Sequence, residues 1–314
     1  NNIIVCGCIS ENIRKAAEKA SATEIISTTE LHKMFTQGDQ MFPEIQKAKP
    51  HFVISDNSLC NRQYENIEKH NQNIVKKLLK RKTTVPFLVI ARGCNNRCSY
   101  CHSRFYMGPL KSKEKKQIIS EYKTLLNQAY RFINIIAGDV GAYGSDISEN
   151  LPDLLSELDK NTPDRKVSWM LDGLQPKWYV KYKNALSYHI AKKRITAMSI
   201  PMQSGSNRIL KLMNRPQNRQ EALNILLQFK RLNPKIYLQG IFIVGFPDEK
   251  DEDFEQSIDF IKQIKFNDVT LIPYSEFNIC NSAEITPKIP ASTINLRIQN
   301  ATNMLNDLGI YTHG

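Results

Sequence analysis

Three cysteines, Cys94, Cys98 and Cys101, fall within eight residues of the stretch "RGCNNRCSYCHSR", and His102 follows directly. So dense a set of thiols points to metal or redox chemistry, and the candidate chemistries can be compared. C-x-x-C-H over Cys98–His102 is the attachment signature of a c-type haem, which needs an exported chain. The opening "NNIIVCGCISENIRKA" has no basic region followed by a long apolar stretch, so it does not read as a secretory signal. A redox C-x-x-C pair leaves the third cysteine unexplained. Structural zinc usually takes two ligand knuckles from separate places, whereas here every ligand crowds into one loop. An iron–sulfur cluster accounts for the whole set: thiolates are its usual ligands, and a [4Fe–4S] cube has one more iron than these cysteines can hold.

Such a loop needs a rigid support. "VPFLVIAR", ahead of the cysteines, is short, apolar and β-branched, as a buried strand is. From about Val85 the pattern alternates between strand and helix. "RFINIIAG", "KVSWML", "ITAMSIP", "KIYLQGIFIVG" and "DVTLIPY" read as further strands. Between them "KEKKQIISEYKTLLNQAY", "NLPDLLSELDK", "PKWYVKYKNAL", "NRQEALNILLQFKRL" and "DEDFEQSIDFIKQI" carry apolar residues at helical spacing, and "ASTINLRIQNATNMLNDLG" closes the series. Asn150 is placed to cap its helix, with Pro152 in the first turn. Six β/α units imply an α/β fold with a parallel sheet, an open partial (β/α)6 barrel of the TIM type over 85–314. In such barrels chemistry sits at the C-terminal ends of the strands, where the cysteine loop falls. Residues 1–84 read as a small α/β segment ("NNIIVCGC", "SENIRKAAEKA", "HFVISD") and a basic linker.

The totals agree with a soluble enzyme that binds an anionic partner. The chain has 314 residues, 41% of them hydrophobic, and a formal net charge of +12. That charge favours nucleic acid as a partner. No apolar run is long enough to span a bilayer. Seven clustered cysteines, an odd number, do not form a disulfide framework and fit a reducing, cytoplasmic compartment. "KKLLKRK" (Lys76–Lys82) and "KKR" (Lys192–Arg194) are the densest basic runs, read either as solvated faces or as phosphate contacts.

An iron without a protein ligand can bind a small molecule through an amine and a carboxylate, and S-adenosylmethionine (SAM) offers both. The C-x3-C-x2-C loop after the first barrel strand resembles that of the radical-SAM enzymes. "GPLKSK", "AGDVGAYGSDISENLPDLL", "IPMQSGSNRILKLMNR" and "IFIVGFPDEKDEDFEQSIDFI" resemble the methylthiotransferases among them, which modify a tRNA adenosine or a ribosomal protein. The stretch Asp139–Ile147 is most similar to the branch that acts on N6-threonylcarbamoyladenosine in tRNA.

The resemblance implies that Cys94, Cys98 and Cys101 hold a [4Fe–4S] cluster whose reduction splits SAM to a 5′-deoxyadenosyl radical. It implies SAM contacts from Tyr100, Gly138, Asp139, Gln203, Ser204 and Ile243 to Gly245. Each of these also has an ordinary reading as a turn or cap residue. A second [4Fe–4S] cluster of the family would use Cys8, with its other two cysteines upstream of Asn1. "WMLDGLQP" departs from the family, whose members carry an Arg and an Asn-Pro there. The expected partners are the tRNA anticodon stem-loop and an electron donor such as flavodoxin or ferredoxin, with the protein a monomer. The alternative is a radical-SAM enzyme that modifies a protein or peptide.

Overall fold

The computed structural model describes residues 4–7, 24–27, 85–163 and 166–314. Ile4–Gly7 (β1) and Glu24–Ser27 (β2) pair in parallel. The rest of 1–84, including Cys8, Cys60 and the Lys76–Lys82 run, lies outside the described residues.

The remaining chain is built on one sheet of seven parallel strands. They are β3 (Phe87–Val89), β6 (Phe132–Ile136), β7 (Ser168–Asp172), β8 (Ile195–Gln203), β9 (Tyr237–Val244), β10 (Asp268–Pro273) and β11 (Tyr311–His313). The spatial order β3-β6-β7-β8-β9-β10-β11 follows the chain, and the two ends do not pair, so the barrel is open. The short strands β4 (Ala91–Arg92) and β5 (Lys111–Ser112) pair antiparallel and bracket the cysteine loop.

Helices cover the outer face of the sheet for clear local reasons. In α3 (Leu151–Lys160) the Asn150 side chain accepts from Asp153 N, and Leu151, Leu154, Leu155 and Leu158 form one buried stripe. Asn218 caps α7 (Arg219–Leu232) in the same way, accepting from Gln220 N and Glu221 N. The other covering helices are α2 (Lys115–Asn127), α8 (Asp251–Ile264) and α9 (Ala291–Asp307). Strand residues buried on both faces explain the near-continuous apolar runs in the sequence.

Two details differ from the sequence reading. The barrel has a seventh strand: β11 pairs with β10, Asp268 opposite Tyr311, through backbone bonds that a three-residue segment cannot announce by periodicity. The helix expected over Pro176–Leu186 is two, α4 (Pro176–Lys181) and α5 (Lys183–Ala191), parted at Tyr182, whose backbone leaves helical geometry. The break lets α4 carry Trp178 toward the site while α5 buries Leu186 and Ile190.

The inner face holds its own packing. Met170, Ala197 and Tyr237 cluster inside the barrel against Phe132, whereas Trp169, Leu171, Leu238 and Phe242 belong to the core under the helices. Alternate residues of each strand therefore face a lumen.

Candidate functional site

Cys94, Cys98 and Cys101 lie in one loop after β4, closed by short helix α1 (Ser103–Met107). The loop leaves the sheet at Gly93, whose φ is +70°; a side chain there would place Cβ 1.9 Å from the Pro109 carbonyl oxygen. Cys94 N donates to Gly108 O at 3.1 Å and Leu110 N to Asn95 Oδ1 at 2.9 Å, which close its base. Two distant segments fix its upper part. Ser99 N donates to Met213 O (3.0 Å) and Ser99 Oγ to Leu212 O (2.8 Å), at the end of α6 (Asn207–Leu212). Ser282 N donates to Ser99 O at 3.0 Å from the β10–α9 connection. Phe277, in that same connection, stacks on His102 at 3.9 Å.

Two of the three sulfurs accept hydrogen bonds. Asn96 Nδ2 donates to Cys94 Sγ at 3.0 Å, and the Arg215 guanidinium donates to Cys98 Sγ at 3.6 Å. Donors of this kind favour thiolate over thiol, the form that binds metal. Burial pushes the Cys94 thiol up in the absence of a metal. Among the described residues no three His, Cys, Asp or Glu side chains converge on one metal-ion position. A cubane carries its irons at separate corners, so its ligands need not converge on a point. Three free thiols on one loop, fed by polar donors, fit such a cluster and not a single ion.

Buried polar atoms without partners surround the loop. Asp139 is fully buried; its Oδ2 accepts from Asn96 Nδ2 (2.6 Å) and Trp178 Nε1 (2.9 Å), while Oδ1 has no partner. Lys177 Nζ donates to Asn96 Oδ1, completing a network from α4 to the loop. Arg215 is 5% exposed and donates to Gln175 Oε1 (2.9 Å) and Pro201 O, with no ion pair to a carboxylate among the described residues. Gln203 Oε1 and Arg215 Nε are also buried and unpartnered. Unpaired buried groups are uncommon, and each calls for an explanation such as a ligand or ion. This set can take a zwitterion: a cation at Arg215 for a carboxylate, and acceptors at Asp139 and Gln203 for donors.

The structure gathers most of the residues expected from the sequence. Gly138 abuts the loop so closely that a Cβ would lie 2.3 Å from Gly93 O. Tyr100 packs edge-on against Phe246 in a cluster with Ile243 and Tyr274, and burial raises its phenol. Gln203 ends β8 with a φ of +73°. Gly245 N donates to the buried Glu249 carboxylate at 2.6 Å, which forms the strand-exit turn. Ser204 is not brought in. Its Oγ accepts from Ser206 N and lies 3.4 Å from Ser257 Oγ, while Ser206 caps α6, so the turn reading holds for both. Asn96, Trp178, Lys177 and Arg215 were not singled out by the sequence. Only Asn96, inside the cysteine loop, offered a local signal.

Two members of the Lys192–Arg194 run serve the fold. Arg194 Nε and Lys192 Nζ both donate to Asp159, at 2.6 and 2.7 Å, at the N-terminal end of β8, opposite the cysteine loop, while Lys193 is exposed.

Comparison with known proteins agrees with this geometry. A model of the radical SAM superfamily matches residues 88–261, more than half of the chain. The chain belongs to the radical SAM superfamily. Members use a [4Fe–4S] cluster and SAM. The chain is 28% identical to a tRNA-2-methylthio-N(6)-dimethylallyladenosine synthase from Carboxydothermus hydrogenoformans, covering 71% of this chain and 51% of that one. It is 33% identical to a ribosomal protein uS12 methylthiotransferase from Pelotomaculum thermopropionicum, covering 71% and 50%. It is 36% identical to a Pyrococcus abyssi protein named "Probable threonylcarbamoyladenosine tRNA methylthiotransferase", covering 61% and 45%. The chain thus spans about half the length of these curated relatives. In fold it is similar to the radical SAM methyltransferase TsrM from Kitasatospora setae, solved with cobalamin and a [4Fe–4S] cluster bound. The TM-score is 0.54 at 13% identity, over 66% of this chain and 40% of that one. Among the described residues no helix is long and apolar enough to cross a membrane.

Proposed function

We propose that this chain is a radical-SAM methylthiotransferase whose substrate is an adenosine in the tRNA anticodon loop. The observation that carries the radical-SAM part is the triad of thiols at the C-terminal end of the barrel, two of them accepting hydrogen bonds from Asn96 and Arg215. Cys94, Cys98 and Cys101 hold the cluster, which when bound supplies the electron that cleaves SAM. Arg215 pairs with the SAM carboxylate, and Asp139 Oδ1 and Gln203 accept from its donors. Trp178 and Asn96 hold Asp139 in place from the side away from the ligand. Tyr100, Ile243 and Phe246 form the apolar wall that keeps water from the reacting atoms.

Relatives named for tRNA adenosines, together with the +12 charge, support the RNA substrate. The uS12 methylthiotransferase supports a second reading, a ribosomal protein substrate. The threonylcarbamoyl form of the first reading rests on Asp139–Ile147. Val140, Ala142 and Tyr143 in that stretch are buried in the core, and Asp146 accepts from Ser112 N at 2.8 Å. These side chains secure the fold, so they cannot by themselves choose the substituent. The reaction would need an electron donor such as flavodoxin or ferredoxin, and a second cluster of the family's kind, to which Cys8 would contribute, would supply the sulfur.

The test is iron and sulfide per chain after anaerobic reconstitution, for wild type and a Cys94→Ala/Cys98→Ala/Cys101→Ala variant. About four irons falling to none gives the SAM cluster alone. About eight falling to about four adds the second cluster. No iron in either protein overturns the proposal. Mass analysis of tRNA and of uS12 after incubation with SAM and dithionite then separates the two substrates.

A further inference from the structure

The amide of Asn96 joins one of the three loop cysteines to two charges of opposite sign. Its Nδ2 donates to Cys94 Sγ at 3.0 Å and to Asp139 Oδ2 at 2.6 Å, and its Oδ1 accepts from Lys177 Nζ. The partners fix which way the amide points. An ammonium only donates and a carboxylate only accepts, so the oxygen faces Lys177 and the nitrogen faces Asp139 and Cys94. Both N–H bonds of that nitrogen are thereby used, one on an acid and one on a sulfur.

The surroundings hold this arrangement away from bulk water. Asp139 is fully buried, and Cys94, Asn96 and Lys177 are half-buried. Trp178 steadies both charges. Its Nε1 donates to Asp139 Oδ2 at 2.9 Å, and Lys177 Nζ sits 4.8 Å from the centre of its ring. Lys177 makes no ion pair among the described residues, so its charge acts on the Asn96 amide and the indole face.

Under the proposed function Cys94 is a cluster ligand. Reduction passes one electron from the reductant to [4Fe–4S]2+, giving [4Fe–4S]+, with no bond made or broken there. The added negative charge is shared with the ligand sulfurs. A hydrogen-bond donor to such a sulfur therefore stabilises the reduced form more than the oxidised one. A positive charge at Asn96 Oδ1 draws electrons across the amide and strengthens its N–H donors. A carboxylate beside the sulfur does the reverse, because it repels the added charge.

Resting on the cluster assigned under the proposed function, we propose that Asn96 and Lys177 are positioning residues that make this cluster easier to reduce, while Asp139 sets the opposite bias. Asn96 is the element that carries the effect of Lys177 to the sulfur, so the two residues act as one unit and not as two independent terms.

The test is a redox titration of the reconstituted full chain with dithionite, without RNA or SAM, read by electron paramagnetic resonance of the reduced cluster. Only the part of the signal that the Cys94→Ala/Cys98→Ala/Cys101→Ala variant lacks is counted. Asn96→Leu, similar in shape but without donors, should lower the ratio of reduced to oxidised cluster at a fixed potential about tenfold, or about 60 mV for one electron. Lys177→Met should lower it about three- to tenfold, and Lys177→Arg, which keeps the charge, should stay within about twofold of wild type. Asp139→Asn, which keeps both of its donors, should raise it at least about threefold. Loosening of the loop would move Lys177→Met and Asp139→Asn in the same direction, whereas charge moves them in opposite ones. Adding Lys177→Met to Asn96→Leu should change the ratio by less than about twofold, since the amide that carries the effect is gone.

Ratios within about twofold of wild type in both Asn96→Leu and Lys177→Met overturn the inference. So does a shift of Lys177→Met and Asp139→Asn in the same direction, or full addition of the two losses in the double variant. Lys177→Met leaves the backbone bonds of the loop in place, so it decides the matter by itself if Asn96→Leu fails to hold iron. These outcomes leave the proposed function standing. A wild-type chain with no reducible cluster on the three cysteines overturns the proposed function, and the inference with it.

Discussion

Asp139 allows fold and ligand roles to be separated in a single side chain. Its Oδ2 accepts from Asn96 and Trp178, and its Oδ1 is buried without a partner. Asp139→Ala leaves the Trp178 indole N–H and one N–H of the Asn96 amide, whose other goes to Cys94 Sγ, without an acceptor. At about 1–3 kcal/mol for each stranded donor, the loss is about 2–6 kcal/mol. For a domain of this size that lowers Tm by roughly 4–24 °C. Asp139→Asn has a different outcome. Its amide oxygen takes the place of Oδ2 and keeps both donors, so Tm stays within about 3 °C of wild type. The amide NH2 then stands where Oδ1 was and faces any donor of SAM with another donor. Loss of one hydrogen bond to a charged acceptor, about 1.5–3 kcal/mol, weakens SAM binding roughly 10- to 150-fold. Differential scanning fluorimetry reads the first quantity and anaerobic calorimetry with SAM the second. Wild-type SAM affinity in Asp139→Asn would refute the ligand role of Oδ1. A melting loss in Asp139→Asn as large as that in Asp139→Ala would show that Oδ1 serves the fold instead.

Other perturbations have equally definite outcomes. Arg215→Gln should keep iron binding by the cysteines but weaken SAM at least about tenfold, measured by the same calorimetry, since a buried charge-assisted pair is lost. Arg194→Ala should cost about 1–3 kcal/mol in denaturant melts, because Asp159 keeps Lys192 but the carbonyls of Val167 and Thr162 lose their donor, yet leave tRNA affinity in filter binding unchanged. His189 is 1% exposed, stands against Trp169, and has its pKa lowered to about 4 by burial, with Asp159 opposing and Lys192 and Arg194 adding to the shift. The folded state favours the neutral ring, so this contribution is complete above pH 6.5 and is lost as pH falls from there toward 4. Melts from pH 7.5 to 5 should show about 2 kcal/mol of acid destabilisation that His189→Gln removes.

What could be read from the sequence followed from how local the cause is. The apolar stripe of α8, Asp251–Ile264, is complete within its own residues, so the sequence marks both of its ends. Asn150 was identified as a cap because the backbone N–H it accepts from lies three positions on. The cysteine loop was readable because its ligands share one short segment. Arg215 was not. Nothing in "LMNRPQN" marks it, and it reaches Cys98 only because Ser99 joins the end of α6 to the cysteine loop. Trp178 is the same kind of case, since a helix break at Tyr182 turns an ordinary core aromatic toward Asp139. The run Lys192–Arg194 reverses the pattern. Local charge density leaves it open between a solvated face and phosphate contact, and a single acid from the end of α3, Asp159, ties two of its three side chains to the fold. Periodicity and spacing report on a residue's neighbours in the chain, whereas a charged side chain's role depends on which opposite charge or open ligand site the fold brings to it.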